Sequence, residues 1–281
     1  SSDLHFPKDN KKFVLDIQNS LYNLSSLNIV NKDNLLDETI NITLNFAKNK
    51  KEFLIFGTGG SNLGAKALIN ILQTNEKATI HFYDNIDPIY FKNNIDKINL
   101  DKVGIVIISK SGSTPETLSQ FGSLIEIFEQ KNSLDIFYRN CMIITEDKPS
   151  PLYNIAKTNK CKILSHEKDI GGRYSVFSNV GMVPAIIAGL DVKQIHLGVK
   201  QEIKKYVNED YLKIAKLFRY QNYKNRFNNS VIMTYSDALY YFGKSRPFAC
   251  TYLFDHPEYT WPMVYRLEVL CTLLQQVFQA D

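Results

Sequence analysis

A glycine-rich turn follows the first strongly apolar segment of the chain. The apolar residues 53–56 lead directly into residues 57–64, which read GTGGSNLG. Glycines allow a backbone to approach an anion closely, and the first turn of a helix offers unpaired N–H groups and a partial positive charge. The turn therefore predicts an anion-binding loop, with a tight turn that binds no ligand as the alternative.

This turn does not match the nucleotide-binding motifs that glycine-rich turns often form. A dinucleotide fingerprint would need glycine where Asn62 stands. The glycine-lysine-serine triplet at 243–245 has Ala238 where a phosphate-binding P-loop has its leading glycine. An unrelated α/β nucleotide enzyme is therefore an alternative that these residues disfavour.

A second cluster of polar residues follows the apolar run 103–108. Residues 109–117 read SKSGSTPET, with three serines and two threonines in nine residues and a proline where a helix would begin. Hydroxyl and backbone donors gathered around one point suit a phosphate monoester. An elaborate helix cap with a solvated lysine is the alternative, but two such loops in one sheet favour the phosphate site.

A third glycine-containing segment carries an arginine. Residues 169–175 read DIGGRYS, so that two glycines hold the backbone close and Arg173 offers a permanent cation. Such a guanidinium can stabilise an oxyanion that develops during a reaction. A lone arginine would be an ordinary surface charge, but its place after the apolar run 161–165 favours a functional role.

Five short apolar runs alternate with stretches of helical length and would position these three segments. The runs read FLIFG, TIHFYD, VGIVIIS, NCMIIT and CKILS. Continuous apolar runs with long connections are typical of a parallel sheet that is covered by helices on both faces. We therefore predict a three-layer α/β/α fold with a parallel five-stranded sheet. Right-handed crossovers would then place the loop after every strand on one edge.

The sequences on either side of these runs predict helices and the start of a second α/β unit. Apolar residues at helical spacing precede the first run, at Phe13, Ile17, Leu21 and Leu24 and then at Leu35, Ile40, Leu44 and Phe46. A mostly helical stretch covers 175–228. The run SVIMTYSD at 230–237, with ALYYFGK after it, predicts the first strand and helix of the second unit.

The segment after Lys244 differs in composition from the rest of the chain. Residues 245–281 contain no lysine, asparagine or isoleucine, and they carry the only tryptophan. We expect either a native but divergent segment or the result of a frame slip, splice or gene-prediction error. The predicted divisions are a helical segment at 1–50, a first domain at 51–205, a linker and the start of a second domain at 206–244, and a divergent tail at 245–281.

The composition of the 281-residue chain excludes several classes of protein. Hydrophobic residues make up 44% and charged residues 22%, which is ordinary for a globular protein. A net charge of +4 over 33 basic and 29 acidic residues is too balanced for a nucleic-acid-coating surface. The cysteines and histidines form no CxxC, HExxH or HxH pattern, so we expect reduced thiols and no structural metal. No apolar run approaches the roughly 18 residues that cross a bilayer, and no signal-peptide segment is evident, so we expect a cytoplasmic protein with no membrane partner.

Three segments together resemble one enzyme family. FGTGGSNLG, SKSGSTPET and DIGGRYSVFSNVGMVPAIIAG occur in the order of the glucose-6-phosphate isomerase family, and the last contains its GGR[FY]S signature. The resemblance covers residues 50–244 and implies a two-lobed sugar-isomerase (SIS) fold. It also implies an aldose–ketose isomerase of glycolysis and gluconeogenesis that interconverts glucose 6-phosphate and fructose 6-phosphate. The family needs neither a metal nor an organic cofactor, and it forms homodimers whose subunits share the active site.

The resemblance also implies roles for individual residues. Gly60, Ser61 and Gly172 would line the sugar-phosphate pocket. The phosphate cradle would consist of Ser109, Lys110, Ser111, Gly112, Ser113 and Thr114. Arg173 would stabilise the enediolate that forms while a glutamate moves a proton between C2 and C1. A preorganised guanidinium suits this role, because the enediolate charge develops only as the reaction proceeds.

The chain departs from the family where the proton-transferring glutamate would stand. In the family this residue lies in an A-E-S or M-E-S context after the strand and helix that correspond to 230–244, whereas this chain reads SRPFACTYLF there. Neither Glu258 nor Glu268 stands in that context, and His256 does not match the family's ring-opening histidine. We therefore expect either an isomerase that is truncated or altered after Lys244, with little or no activity, or a non-catalytic SIS-type module that binds phosphosugars.

Overall fold

All five apolar runs form strands of one parallel sheet. The computed structural model describes residues 23–72, 78–100, 102–206, 237–242 and 244. The strands are β1 (Glu52–Phe56), β2 (Thr79–Tyr83), β3 (Val103–Ile108), β4 (Cys141–Thr145) and β5 (Lys162–Ser165). They lie in the order β2-β1-β3-β4-β5, and every neighbouring pair is parallel. The predicted five-stranded parallel sheet is confirmed.

Burial explains why the central strands are continuously apolar. Every residue of β3 and β4 is buried, because each strand has neighbours on both sides and helices on both faces. The chain winds outward from β1 to β2 and then returns to β3 on the other side of β1. The strand order therefore reverses between β1 and β3, and a crevice opens at such a reversal beyond the carboxyl ends of the strands.

Helices cover both faces of the sheet. In the described residues they are α1 (Ser25–Asn28), α2 (Asp33–Ala47), α3 (Gly60–Leu72), α4 (Pro88–Ile95), α5 (Pro115–Gln130), α6 (Leu134–Arg139), α7 (Pro151–Thr158), α8 (Asn179–Ile187) and α9 (Val192–Tyr206). The core on one face joins the strands to α4, α5, α6 and α7. On the other face, α2 and α8 pack on the sheet, and a further cluster joins α1, α3 and α9 to them. This arrangement is the predicted three-layer α/β/α fold.

The N-terminal helical prediction is correct for α2, but one of the apolar residues at helical spacing is exposed. Leu44 is 55% exposed, whereas Thr39 and Thr43 are buried. Thr43 precedes Leu44 by one residue, which is about 100° around a helix, so the two side chains cannot share the buried face. The Thr39 hydroxyl hydrogen-bonds the Leu35 carbonyl oxygen at 2.8 Å and the Asn179 Oδ1 atom at 2.6 Å, which makes a threonine acceptable in the core. The proposed helix around Phe13, Ile17 and Leu21 lies outside the described residues.

The helical stretch after the arginine segment begins with a completely buried helix. All nine residues of α8 are buried, and the Ser178 hydroxyl accepts a hydrogen bond from the Val180 amide as its N-terminal cap. The Asn179 side chain donates to the Ser165 carbonyl oxygen at 2.8 Å, which ties α8 to the end of β5. Helix α9 continues the predicted stretch as far as Tyr206, and residues 207–236 lie outside the described residues.

The structure also describes residues 237–242 and 244, which follow the gap at 207–236. Residues Asp237–Leu239 form a turn of 3-10 helix, and the Asn70 side chain of α3 donates to the Asp237 carbonyl oxygen at 3.0 Å. Most of the strand predicted at 230–237 and the whole tail at 245–281 lie outside the described residues. Of the four cysteines predicted to be reduced core thiols, Cys141 and Cys161 are buried and free, and Cys250 and Cys271 lie outside the described residues. None of the helices in the described residues could span a bilayer, because none joins sufficient length to sufficient hydropathy.

Candidate functional site

The first two polar loops start side by side at the reversal in strand order. Phe56 of β1 is paired with Ile107 of β3, so the glycine turn and the serine-rich loop leave the sheet from adjacent strands. A Cβ atom added at Gly57 would lie 3.2 Å from the Ile108 carbonyl oxygen and 2.8 Å from the Ser61 Cβ atom. Gly57 is therefore packed too closely for a larger side chain, and both loops border the crevice where ligands of such sheets bind.

The asparagine that breaks the dinucleotide fingerprint supports this turn. Asn62 is fully buried, and its side-chain amide donates to the Gly57 carbonyl oxygen at 2.5 Å and to the Tyr83 carbonyl oxygen at 3.4 Å. Tyr83 is the last residue of β2, and Gly57 directly follows the last residue of β1. Asn62 therefore joins the carboxyl ends of two neighbouring strands, a task that glycine, without a side chain, could not perform.

The glycine turn is in direct contact with the arginine segment. Gly60 is the first residue of α3, and a Cβ atom added there would lie 2.3 Å from the Gly172 carbonyl carbon and 2.6 Å from the Arg173 backbone nitrogen. Only glycine allows so close an approach. The structure therefore brings together Gly60, Gly172 and Arg173, which are far apart in the sequence.

We expect Gly60→Ala to lower the free energy of unfolding by about 2 to 3 kcal/mol, because the new methyl group would overlap backbone atoms that cannot turn away. Gly172→Ala is the matched control on the opposite side of the same contact, since a Cβ atom at Gly172 would meet nothing within 4 Å. That control should leave stability unchanged or raise it by up to about 1 kcal/mol. Urea unfolding of both variants provides the measurement, and equal losses would contradict the close contact.

The serine-rich loop gathers its hydroxyl groups around Thr114. The Thr114 hydroxyl lies 2.9 Å from the Ser109 hydroxyl and 3.4 Å from the Ser111 hydroxyl. The amides of Gly112 and Ser113 donate to the Ser109 and Ser111 hydroxyls, each at 3.2 Å. Thr114 precedes α5, but its side chain makes no capping hydrogen bond to that helix. The loop therefore presents a cluster of hydroxyl groups at the N-terminus of a 16-residue helix.

Glycine is required at the bend of this loop. Gly112 has a φ of 65°, which other residues rarely adopt. A Cβ atom there would also lie 2.1 Å from the Ser150 hydroxyl oxygen. Ser150 is the N-cap of α7, so the bend packs directly on the helix that follows β4.

The ammonium group of Lys110, the lysine of this loop, interacts with Lys168 and Glu146. Lys110 Nζ donates to the Lys168 carbonyl oxygen at 2.6 Å and lies 3.5 Å from Glu146 Oε1. The other oxygen of Glu146 forms an ion pair with Lys148. The hydrogen bond from Lys148, together with the charges of both lysines, lowers the pKa of the Glu146 carboxyl. Sequence reasoning did not identify Glu146, although a carboxylate directly after an apolar strand of the predicted sheet is a signal that could have found it.

The arginine segment is a tight turn at the same edge of the sheet. Gly172–Tyr174 form a turn of 3-10 helix, and the Ser175 hydroxyl donates to the Gly172 carbonyl oxygen at 2.7 Å. The Tyr174 amide donates to the Gly171 carbonyl oxygen at 2.9 Å. These bonds fix the backbone on which the partly buried Arg173 stands.

All the predicted site residues lie on the three loops at this edge. They are Gly60, Ser61, Ser109, Lys110, Ser111, Gly112, Ser113, Thr114, Gly172 and Arg173. Within the described ranges, no group of three or more histidine, cysteine, aspartate or glutamate side chains is arranged to hold a metal ion. The arrangement brings a cluster of hydroxyl groups, a helix N-terminus and the backbone of Arg173 to one edge of the sheet, a combination that suits an anionic ligand.

Comparison with known proteins identifies glucose-6-phosphate isomerases as relatives of this chain. The family model for phosphoglucose isomerase matches residues 41–244. A glucose-6-phosphate isomerase of Campylobacter jejuni is 34% identical over 212 residues, which cover 73% of this chain and 50% of the relative. A probable glucose-6-phosphate isomerase of Methanococcus maripaludis is 32% identical over 207 residues, which cover 70% of this chain and 46% of the relative. This chain thus spans about half the length of the curated relatives it matches.

Two solved structures share the fold. A hypothetical protein of Thermus thermophilus superposes with a TM-score of 0.75 at 22% identity, covering 85% of this chain and 59% of that protein. A glucose-6-phosphate isomerase of Chlamydia trachomatis superposes with a TM-score of 0.68 at 22% identity, covering 77% of this chain and 43% of that enzyme. At this identity the likeness concerns the fold.

Proposed function

This chain belongs to the phosphoglucose isomerase family, and from that premise we propose that its three-loop site binds glucose 6-phosphate and fructose 6-phosphate as an aldose–ketose isomerase. The observation that carries the proposal is the hydroxyl cluster of Ser109, Ser111 and Thr114 on the loop next to the glycine turn, which in turn contacts the turn that carries Arg173. The cluster suits a phosphate group at one end of the substrate. The guanidinium suits the oxygen atoms at C1 and C2, where negative charge develops.

The proposed roles follow the position of each residue. Gly60, Ser61 and Gly172 line the sugar-phosphate pocket in this proposal, which is supported by the close approach of Gly60 to Gly172. The cradle comprises Ser109, Lys110, Ser111, Gly112, Ser113 and Thr114, with Lys110 acting through its backbone because its ammonium is bound by Lys168 and Glu146. Arg173 stabilises the enediolate that exists after a base has removed the proton from C2 and before that proton is returned to C1.

A non-catalytic phosphosugar-binding module is the second candidate. It is favoured by one observation, that residues 245–281 contain no glutamate in the A-E-S or M-E-S context. Both candidates use the same first domain, which we place at 51–205, with a second domain that starts within 206–244. A homodimer with a shared active site is part of the isomerase proposal.

We expect the full chain to bind glucose 6-phosphate, and we expect replacement of Ser111 and Thr114 together by alanine to weaken binding by about 1 to 3 kcal/mol. Each lost hydroxyl removes a hydrogen bond to the phosphate, and the expected total corresponds to about 0.5 to 1.5 kcal/mol for each bond, the net value after exchange with water. Isothermal titration calorimetry with glucose 6-phosphate and with inorganic phosphate measures the effect. The affinities for both ligands should fall, because the cradle holds the phosphate group that they share.

Ser119→Ala is the matched control, because Ser119 is an exposed serine of the same helix α5. It should leave both affinities unchanged. Unchanged affinity in the double variant would place the phosphate elsewhere. If circular dichroism shows a folded chain that binds neither ligand at millimolar concentration, the proposed cradle is wrong.

A further inference from the structure

We infer that Glu146 is a positioning residue, which acts through Lys110 to hold the turn that carries Arg173 in register with the phosphate cradle. The inference rests on the proposed function, because it assigns the cradle and Arg173 to one ligand. Glu146 itself stands outside all three loops, at the end of β4. Its effect on a ligand would therefore be indirect.

The first part of this connection joins β4 to the cradle through the backbone. The Glu146 amide donates to the Lys110 carbonyl oxygen at 3.2 Å. The Thr145 hydroxyl donates to the same oxygen at 3.4 Å. The residue after β4 thus fixes the second residue of the cradle, between two of the serines that form the hydroxyl cluster.

The second part joins the cradle to the arginine turn through the Lys110 side chain. Its ammonium lies between Glu146 Oε1 at 3.5 Å and the Lys168 carbonyl oxygen at 2.6 Å. Lys168 lies in the segment that leads into the Gly172–Tyr174 turn. Without the carboxylate, the ammonium would keep only the neutral carbonyl, and the restraint between the two loops would weaken.

The surroundings of Glu146 keep the carboxylate charged and oriented. Its side chain is only 11% exposed, and Lys148 binds the oxygen that Lys110 does not. His166 is buried beside this group, and burial lowers the pKa of its imidazole, which disfavours a third cation there. Glu146 therefore has two fixed cationic partners, and one of them is part of the proposed cradle.

The test compares a ligand that uses the cradle alone with a ligand that uses the cradle and Arg173. Inorganic phosphate is the first. The second is a phosphorylated sugar hydroxamate, whose planar O–C–N–O group resembles the enediolate. We expect Glu146→Ala to weaken the binding of the hydroxamate about fivefold, which corresponds to about 1 kcal/mol of coupling. The same variant should change the affinity for phosphate by less than about twofold. Asp147→Ala, which removes the exposed neighbouring carboxylate, should change neither.

A double-mutant cycle separates positioning from general loss of structure. If Glu146 acts by positioning Arg173, Glu146→Ala should cause no further loss of hydroxamate affinity in an Arg173→Met background. The same loss in both backgrounds, or equal losses for phosphate and hydroxamate, would overturn the inference. Glu146→Gln, which keeps the shape and removes the charge, replaces the alanine variant if thermal melting shows that the latter unfolds.

The outcomes also separate this inference from the proposed function. An unsubstituted chain that binds neither ligand would overturn both. An unsubstituted chain that binds both ligands, together with additive losses in the cycle, would overturn only the role of Glu146.

Discussion

Arg173→Met is expected to weaken the binding of the phosphorylated sugar hydroxamate by about 10²- to 10³-fold, the effect of removing one preorganised donor to an oxyanion. The affinity for inorganic phosphate should stay within about twofold, because the cradle remains intact. The difference is expected because, in the proposed function, the guanidinium stabilises the charge that is specific to the enediolate. The experiment requires no turnover, so it tests the arginine even in a chain that lacks a working base.

Two further variants sharpen this test. Arg173→Lys keeps the positive charge but loses the planar pair of donors. Its affinity for the hydroxamate should therefore lie between that of the unsubstituted chain and that of the methionine variant. Arg139→Met is the matched control, because Arg139 is an exposed arginine at the end of α6. If Arg173→Met weakened the binding of glucose 6-phosphate as much as the binding of the hydroxamate, the arginine would bind the ground state and the intermediate equally. It could then not accelerate the reaction.

The central strands β3 and β4 could be predicted because their apolar pattern is nearly uninterrupted. A strand with neighbours on both sides and helices on both faces needs apolar residues at every position, as in VGIVII of β3. The helical prediction for α2 was less exact, because Thr39 and Thr43 are buried polar residues and Leu44 is an exposed apolar one. The partner of Thr39 is Asn179, a residue of another helix, and no pattern within α2 could identify it.

The candidate site shows the same division between local and distant information. Polar loops after apolar runs predicted that the three segments would share one edge of the sheet. The contact of Gly60 with the Gly172 carbonyl carbon depends on how α3 packs against the arginine turn. The binding of Lys110 by Glu146 depends on the register of β3 with β4. The position of Glu146 after an apolar run indicates that it lies at this edge, but the spacing of residues along the chain predicts neither contact.

The polypeptide of these 281 residues is expected to convert fructose 6-phosphate to glucose 6-phosphate at least about 10²-fold more slowly than the Campylobacter jejuni relative, the smallest contribution usual for a general base. Proton transfer between C2 and C1 needs a base that reaches both carbons. Arg173 cannot be this base, because a guanidinium stays protonated at neutral pH. Glu146 is also unsuitable, because its two lysine partners lower the pKa of its carboxyl and bind both of its oxygens.

The measurement couples glucose 6-phosphate formation to a glucose-6-phosphate dehydrogenase and follows reduction of the nicotinamide cofactor. The protein should come from a host without its own isomerase, and Arg173→Met should be assayed beside it, because a rate that survives this substitution belongs to a contaminant. Family-level turnover that is lost in Glu258→Gln or Glu268→Gln would contradict the prediction. It would mean that a tail carboxylate outside the A-E-S or M-E-S context reaches the substrate, so that Arg173 and the cradle already work with a base supplied from residues 245–281.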